Sequence, residues 1–390
     1  MMATKELEKM RANLDRVDRR LVEILDERLR AVAEIARLKA EGLPFLRDHE
    51  RESELLGRVE GWARELGIDE FRTQEIFREL IAMSLKAQEE ALLKRDRAQQ
   101  SVECAHRVAF QGVEGSYSHI AARKYFAAQA SQIEFVGCPT FVAALEEAET
   151  GGAGYAFLPI ENTTAGSINE TYDLLRRTEL QIVGEEILQV RHCLAAHPDV
   201  EIDALQKILS HPQALQQCSI FLRSLDGIEA IAFEDTAAAA RAVRKAGDLA
   251  QAAIASEEAA ELAGLEVIAR DIADQEENWT RFVVISAIEM ELDPRIPAKT
   301  SLVFTTRHHH GALARCLDIV AEHDLNLSKL ESRPVPRRPW EYLFYVDFEG
   351  GAASEDAALA VAELRRDCPY LKVLGSYPAR TTEAGAVDRM

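Results

Sequence analysis

The sequence predicts a multidomain chain with an all-α segment first, an α/β domain second and an α+β module last. Three changes of texture predict it. From Lys5 to about Arg97 the chain is charged, nearly free of Gly and Pro, and apolar at helical spacing. From Arg107 to about Ile288, short apolar runs such as RVAF, GYAFLPI, KILS, AAIAS and FVVIS alternate with helical patterns, which argues a largely parallel sheet. From Lys299 to Arg380 the order reads strand, helix, strand, strand, helix, strand, the βαββαβ order of a ferredoxin-like sandwich. The expected domains are 1–97, 107–288 and 299–380, with linkers at 98–106 and around Pro294 and Pro297.

The chain's 390 residues exceed one ordinary core, since domains run about 100–200 residues. With 47% hydrophobic and 29% charged residues the composition is globular. No apolar run approaches the roughly 20 residues that span a bilayer. The first ten residues mix charge signs and lack an apolar core, so no secretory signal is expected. A cytoplasmic location follows, with no membrane partner. The net charge of −20 repels nucleic acid. Small anions remain admissible, because a local basic pocket overrides the global field. Six cysteines at 104, 138, 193, 218, 316 and 368 form no CxxC pair, so neither a zinc knuckle nor a disulfide framework is expected.

The first helix carries Leu7, Met10, Leu14, Val17, Leu21, Leu25, Val32 and Ile35 as one stripe. It persists to about residue 40, about 50 Å of helix. So long a stripe needs a partner, and an intertwined dimer is the simplest one. Arg28 and Lys39 sit on this stripe, Arg28 about 20° from Leu21 and Ile35. Cations there are costly unless paired. Each either meets a buried carboxylate, snorkels out or serves a ligand. Arg47, Asp48, Arg51 and Glu52 make i, i+4 pairs on a second helix, and Ser84 and Gln88 do so on a third.

Together these residues resemble the all-helical chorismate mutase family. The resemblance maps Arg11, Arg28, Lys39, Asp48, Arg51, Glu52, Ser84 and Gln88 onto substrate contacts. It implies that Arg28 and Arg11 clamp carboxylates, Arg11 from a partner chain, with Arg51 assisting. Lys39 and Gln88 would reach the ether oxygen, Glu52 and Asp48 the substrate hydroxyl, and Ser84 a carboxylate. A unimolecular rearrangement needs no nucleophile. It needs a compact substrate shape and cations where negative charge develops.

Four loops stand out in the α/β segment: Gln111–Ser118, Pro159–Ile168, Ser210–Cys218 and Asn278–Phe282. Glycine and hydroxyl residues at a helix start suit an anion. Polar residues at strand ends suit a ligand. No Ser-His-Asp or Cys-His order with a nucleophile elbow appears, so acyl-transfer hydrolysis is not supported, and no His/Glu spacing suggests a metal site, so no metal or cofactor is expected. The PIENTTAGSI run and the Thr-Arg-Phe triplet resemble the prephenate dehydratase family, with Gln111 and Val113 departing from its usual pattern. The resemblance implies two α/β lobes around a cleft, like type II solute-binding proteins. It implies substrate contacts at Ser116, Tyr117, Glu161, Asn162, Thr163, Ser167, His211, Thr280, Arg281 and Phe282. Thr280 would stand beside the leaving hydroxyl, with Arg281 close by. Threonine is a poor acid at neutral pH, so a relayed proton is expected, with Glu161 and His211 as its candidate sources.

The last module resembles the ACT family of amino-acid sensors. Gly311, Ala312 and Leu313, with Glu331, Ser332, Arg333 and Pro334, carry the match to its phenylalanine-binding form. The three consecutive histidines, His308–His310, read as exposed loop. The three resemblances imply one enzyme that isomerises chorismate to prephenate, converts prephenate to phenylpyruvate, and is inhibited by phenylalanine as a dimer or tetramer. Two other readings stay open. One is a dehydratase with an inactive helical dimerisation arm. The other is a small-molecule sensor, which would hold its ligand without turnover.

Overall fold

The computed structural model of the chain describes residues 2–40, 49–100, 107–127, 132–288, 292, 296–335 and 341–379. It forms two compact units, the helical segment and everything from the first strand onward.

The helical unit has α1 (Met2–Ala40), α2 (His49–Leu66) and α3 (Glu70–Gln100). Gly67, at φ +67°, turns the chain out of α2, and its amide reaches the Arg64 carbonyl. Asp69 then receives the Arg72 amide at 2.8 Å and starts α3. Val32, Val59 and Ala63 are buried. The forward half of the α1 stripe is not: Met10, Leu14, Val17 and Leu21 are 47–69% exposed.

The second unit opens with β1 (Arg107–Gln111), α4 (Tyr117–Tyr125), β2 (Glu134–Cys138), α5 (Phe141–Glu149), β3 (Tyr155–Asn162), β4 (Gly166–Ser167), α6 (Asn169–Arg177) and β5 (Gln181–Gln189). The chain then crosses to a second lobe. This contains β6 (Cys193–Ala196), β7 (Lys207–Ser210), α7 (Pro212–Gln217), α8 (Ser219–Arg223), β8 (Glu229–Ala232), α9 (Thr236–Ala246), β9 (Gln251–Ala255), α10 (Glu257–Ala263) and β10 (Glu266–Ala269). It returns through β11 (Trp279–Ser286). The first lobe's sheet runs β2-β1-β3-β11-β5 and the second lobe's β10-β6-β9-β7-β8.

Both sheets are mixed rather than largely parallel. β11 pairs antiparallel with both β3 and β5, and β6 pairs antiparallel with β9. The cause is the double crossover, because the strand returning from the second lobe enters the first sheet from the opposite end. The two crossings lie side by side, with the Val190 amide on the Asn278 carbonyl at 2.7 Å.

The C-terminal elements are β12 (Ala298–Thr305), α11 (Ala312–Glu322), β13 (Leu327–Pro334), β14 (Tyr342–Glu349), α12 (Glu355–Asp367) and β15 (Tyr370–Pro378). Their antiparallel sheet runs β13-β14-β12-β15. Strand alternation splits its side chains between two cores. Leu302, Phe304, Phe344 and Val346 face Ile319, Val320 and Leu364 of the module's own helices. Val303, Leu343, Tyr345 and Tyr377 join Leu145, Tyr172 and Leu175 of the first lobe. At about 1.5–3 kcal/mol for each fully buried large apolar side chain, this second face is a substantial bond between module and lobe.

Candidate active sites

In the helical unit Arg28 is half-buried and aims at α3. Its Nη1 donates to the Leu80 carbonyl at 2.8 Å and to Ser84 Oγ. Among the described residues no carboxylate pairs with it, and burial draws its pKa below the usual guanidinium value. Ser84 and Gln88 are buried, and Gln88 Oε1 meets no partner among the described residues. A guanidinium without a counter-ion beside an unsatisfied amide is costly in an empty core and suits an anionic ligand. Glu52 is half-buried, whereas Arg51 is exposed and bridges to Glu54 at 3.1 Å. Arg11 is exposed, about 25 Å along α1 from Arg28 at 1.5 Å per residue. The Lys39 side chain and Asp48 lie outside the described residues, as does Cys104.

The second unit holds a cleft of about 360 Å³. Ser116, Tyr117, Asn162, His211, Thr280 and Phe282 line it. Gln111, His192, Gln213, Gln217, Glu234 and Asp235 line it too, and sequence reasoning had not assigned them to the site. No Lys or Arg is among the lining residues. Positive potential comes instead from backbone. α4 begins at the cleft with Ser116 as its cap, and α9 begins there with Asp235 receiving the Ala237 and Ala238 amides at 2.8 and 2.9 Å. Burial pushes the Asp235 carboxyl above the ordinary carboxylate range despite those two amides. His211 Nδ1 accepts the Gln213 amide, so its proton sits on Nε2, and burial lowers its pKa.

Opposite positions on β3 and β11 explain which residues reach the cleft. Asn162 pairs with Thr280 and Glu161 with Arg281. Asn162 and Thr280 face the cleft, and Asn162 Nδ2 lies 2.9 Å from Thr280 Oγ1. Behind them four side chains close a ring. Asn162 Nδ2 donates to Asn278 Oδ1 at 2.8 Å, and Asn278 Nδ2 to Gln217 Oε1 at 3.0 Å. Gln217 Nε2 donates to Thr164 Oγ1, and Thr164 Oγ1 to Asn162 Oδ1, each at 2.6 Å. His192 Nε2 also reaches Gln217 Oε1, at 2.9 Å, which places its proton on Nε2. Each donor also polarises the next, which strengthens such a ring.

Glu161 and Arg281 share the opposite face, away from the cleft. Glu161 meets Lys329 at 2.8 Å, and Ser167 bonds Glu331. Thr163 clamps the loop before β11, donating to the Glu277 carbonyl at 3.0 Å and receiving the Trp279 amide at 2.9 Å. In the C-terminal module Gly311, at φ +77°, stands at the start of α11, where Ala312 is buried and Leu313 half-buried. Arg333 reaches the Asn169 carbonyl at 2.7 Å and Asp173 at 3.2 Å. Ser332 and Pro334 are exposed. No group of three or more His, Cys, Asp or Glu among the described residues is placed to hold a metal ion. No helix among them is long and apolar enough to cross a membrane.

Residues 10–89 match the family described as chorismate mutase type II, and residues 108–289 match prephenate dehydratase. A bifunctional chorismate mutase/prephenate dehydratase of Enterobacter agglomerans is 38% identical, over 95% of each chain. Two solved structures resemble the second unit, each with a TM-score of 0.63. One is described as a novel type of quorum quenching acylase, 33% identical over 70% of this chain and 98% of its own. The other is a prephenate dehydratase from Arthrobacter aurescens in complex with L-Phe, 30% identical over 72% of this chain and 94% of its own. With both family segments present in order, and such a relative matched across almost its whole length, the chain belongs to the bifunctional chorismate mutase/prephenate dehydratase family.

Proposed function

We propose that this chain performs both reactions, chorismate to prephenate on the helical unit and prephenate to phenylpyruvate in the cleft. The observation that carries the second assignment is Thr280, held by Asn162 in a cleft lined by no Lys or Arg. Loss of the ring carboxylate as CO₂ sends its bonding pair into the ring and expels hydroxide from the opposite carbon. A guanidinium on that carboxylate would oppose its departure, and this cleft has none to offer. The amides at the start of α4 can hold the retained pyruvyl carboxylate. Thr280 donates to the leaving hydroxyl, which takes a proton to depart as water. His211 and Asp235 both reach the cleft and are the nearer candidates for the relay, since Glu161 points away.

In the helical unit Arg28, Ser84 and Gln88 form the anion and ether-oxygen site. Lys39, Asp48, Arg51 and Glu52 complete it, as the family pattern implies. The exposed Met10–Leu21 stripe, and the distance between Arg11 and Arg28, favour a dimer in which Arg11 serves the partner's site. The domain division 1–97, 107–288 and 299–380 goes with this reading. So does assignment of the last module to the ACT family, with phenylalanine bound near Gly311–Leu313 and Glu331–Pro334.

The test supplies purified full chain with chorismate and follows chorismate, prephenate and phenylpyruvate over time. Phenylpyruvate from chorismate alone is the expected result. Accumulation that stops at prephenate would remove the dehydratase assignment. Turnover of added prephenate with no loss of chorismate would reduce the helices to a scaffold. Saturating phenylalanine should slow the second step, and unchanged kinetics would remove the regulatory reading.

A further inference from the structure

His192 stands on the first crossing between the lobes, is 2% exposed and has both ring nitrogens engaged by protein. On one side is the Tyr117 hydroxyl, from the first turn of α4. It lies 3.0 Å from His192 Nδ1 and 2.6 Å from the Arg191 carbonyl. The two rings meet edge to face, with centroids 5.5 Å apart. On the other side His192 Nε2 reaches Gln217 Oε1, on α7 of the second lobe, at 2.9 Å. The His192 carbonyl is held as well, by the Ile272 amide of the returning chain at 3.1 Å.

The proton positions follow from these partners. Asn278 donates to Gln217 Oε1, so that oxygen is an acceptor and His192 Nε2 must carry a proton. Burial disfavours a second proton on the imidazole, so Nδ1 is a lone pair and receives the Tyr117 hydroxyl. Burial also pushes the Tyr117 phenol up, which keeps it a donor. One unbroken path then runs from Tyr117 through His192, Gln217, Thr164 and Asn162 to Thr280, with no step longer than 3.0 Å. Every step donates in the same sense, and aligned donors polarise one another. The path ends on Thr280 Oγ1, whose own proton is the next in line. Its start is in the helix turn whose amides can hold the pyruvyl carboxylate.

We infer that Tyr117 and His192 are positioning residues for the dehydratase step: they begin a one-way hydrogen-bond path that fixes the first turn of α4 relative to Thr280 and polarises the Thr280 hydroxyl toward the leaving group. The inference rests on Thr280 being the residue that assists hydroxide departure. It reassigns Tyr117, whose hydroxyl proton goes to His192 and Arg191 and not to substrate. It also gives the junction of the lobes a chemical task. The first lobe, both crossings and α7 each supply a member, so the spacing between the two ends of the substrate is set by side chains from four separate stretches of chain. A misplacement near 1 Å at such a site costs about a hundredfold in rate.

The test uses full-length chain and prephenate, with the thermal midpoint of the second unit as the folding control. His192→Phe keeps a ring and removes both nitrogens, and Tyr117→Phe removes one hydroxyl. Each should lower dehydratase kcat by roughly 10- to 100-fold while KM for prephenate stays within about twofold. His192→Gln returns an amide donor to the place of Nε2 and should recover most of that loss. Tyr117→Phe combined with His192→Phe should be no worse than the worse single variant, because both cut one path. Thr280→Val, run alongside, separates the two claims. If Thr280→Val is inactive while His192→Phe and Tyr117→Phe keep full kcat, the positioning role is wrong and the Thr280 reading survives. If Thr280→Val stays active, that reading fails and the path loses its end. A raised KM at unchanged kcat in Tyr117→Phe would make Tyr117 a substrate ligand and overturn the inference. A His192→Gln chain as slow as His192→Phe would reduce His192 to packing and overturn it too. Should His192→Phe lose its fold, Tyr117→Phe decides alone.

Discussion

Asn162 donates to Thr280, and the direction of that bond is imposed from outside the pair. Asn162 Oδ1 accepts the backbone amides of Thr164 and Ala165, at 3.0 and 2.9 Å. Those amides can only donate, so the Asn162 oxygen is fixed on their side and its nitrogen must face Thr280. Thr280 Oγ1 therefore accepts from Asn162, and its own proton is left for another acceptor. The substrate's departing hydroxyl is such an acceptor.

Asn162→Asp tests this directly. The change is isosteric, but it replaces the donor by an acceptor that competes for the Thr280 proton. Dehydratase kcat should fall about a hundredfold or more, the range associated with loss of a positioned proton donor. Mutase turnover by the same chain should not change. An Asn162→Asp enzyme with normal kcat would show that the direction of this bond is irrelevant to the chemistry.

Arg28 offers the complementary separation. It lacks a carboxylate partner among the described residues, so its charge is available to a ligand. Arg28→Ala should lower chorismate turnover by about two orders of magnitude or more, while added prephenate is still converted. Arg28→Lys should recover little, because one ammonium cannot reproduce the forked contact to Leu80, Ser84 and an anion. Equal loss of both activities would point to a folding defect instead.

The motifs named the right strands but not their faces. Thr280 and Arg281 are adjacent in a strand, so one must turn away from the cleft, and the same holds for Glu161 and Asn162. Period-two alternation could have warned of that. It could not have said which of each pair faces the cleft, because β3 and β11 are covered on both sides, by α4 on one and by α5, α6 and the C-terminal module on the other. Gln217 and Asn278 lay inside loops already singled out. Their role depends on a ring closed across some 60 to 116 residues of chain, which spacing cannot reveal. The long first helix was legible because its stripe is local and repeats at helical spacing. The mixed sheets were not, because strand direction here depends on where the chain returns.

Acid should loosen the second unit through its histidines. Burial lowers the pKa of His119, His192 and His211 below the ordinary imidazole value. The folded state thus prefers them neutral. The stability this confers is fully present above the unfolded value near 6.5 and is lost progressively as pH falls below it. Asp235 has the opposite sign, since its raised folded pKa favours low pH and its contribution fades as pH rises. Thermal denaturation from about pH 7.5 to about pH 5.5 should show a falling midpoint for the second unit. His192→Gln should flatten that fall. An unchanged slope would mean that His192 titrates alike in both states.

Gly375 supplies a test of how closely the C-terminal sheet must approach the lobe. It lies on β15, two residues before Tyr377, against the backbone of Ile182 on β5. A Cβ there would collide with the Ile182 carbonyl oxygen and lie 2.7 Å from its nitrogen. Neither strand can yield locally, since β5 is paired with β11 and β15 with β12. Gly375→Ala must therefore push β15 off β5 as a whole, and Tyr377 moves with it. Overpacking of this kind costs about 1–3 kcal/mol, so the urea midpoint of the second unit should drop. Gly351→Ala is the control, because a Cβ there meets only ordinary contacts at 3.6 Å and beyond. If Gly375→Ala leaves the midpoint at the level of Gly351→Ala, then β15 can stand off from β5 without cost, and the close approach at Ile182 contributes nothing to the stability of the unit.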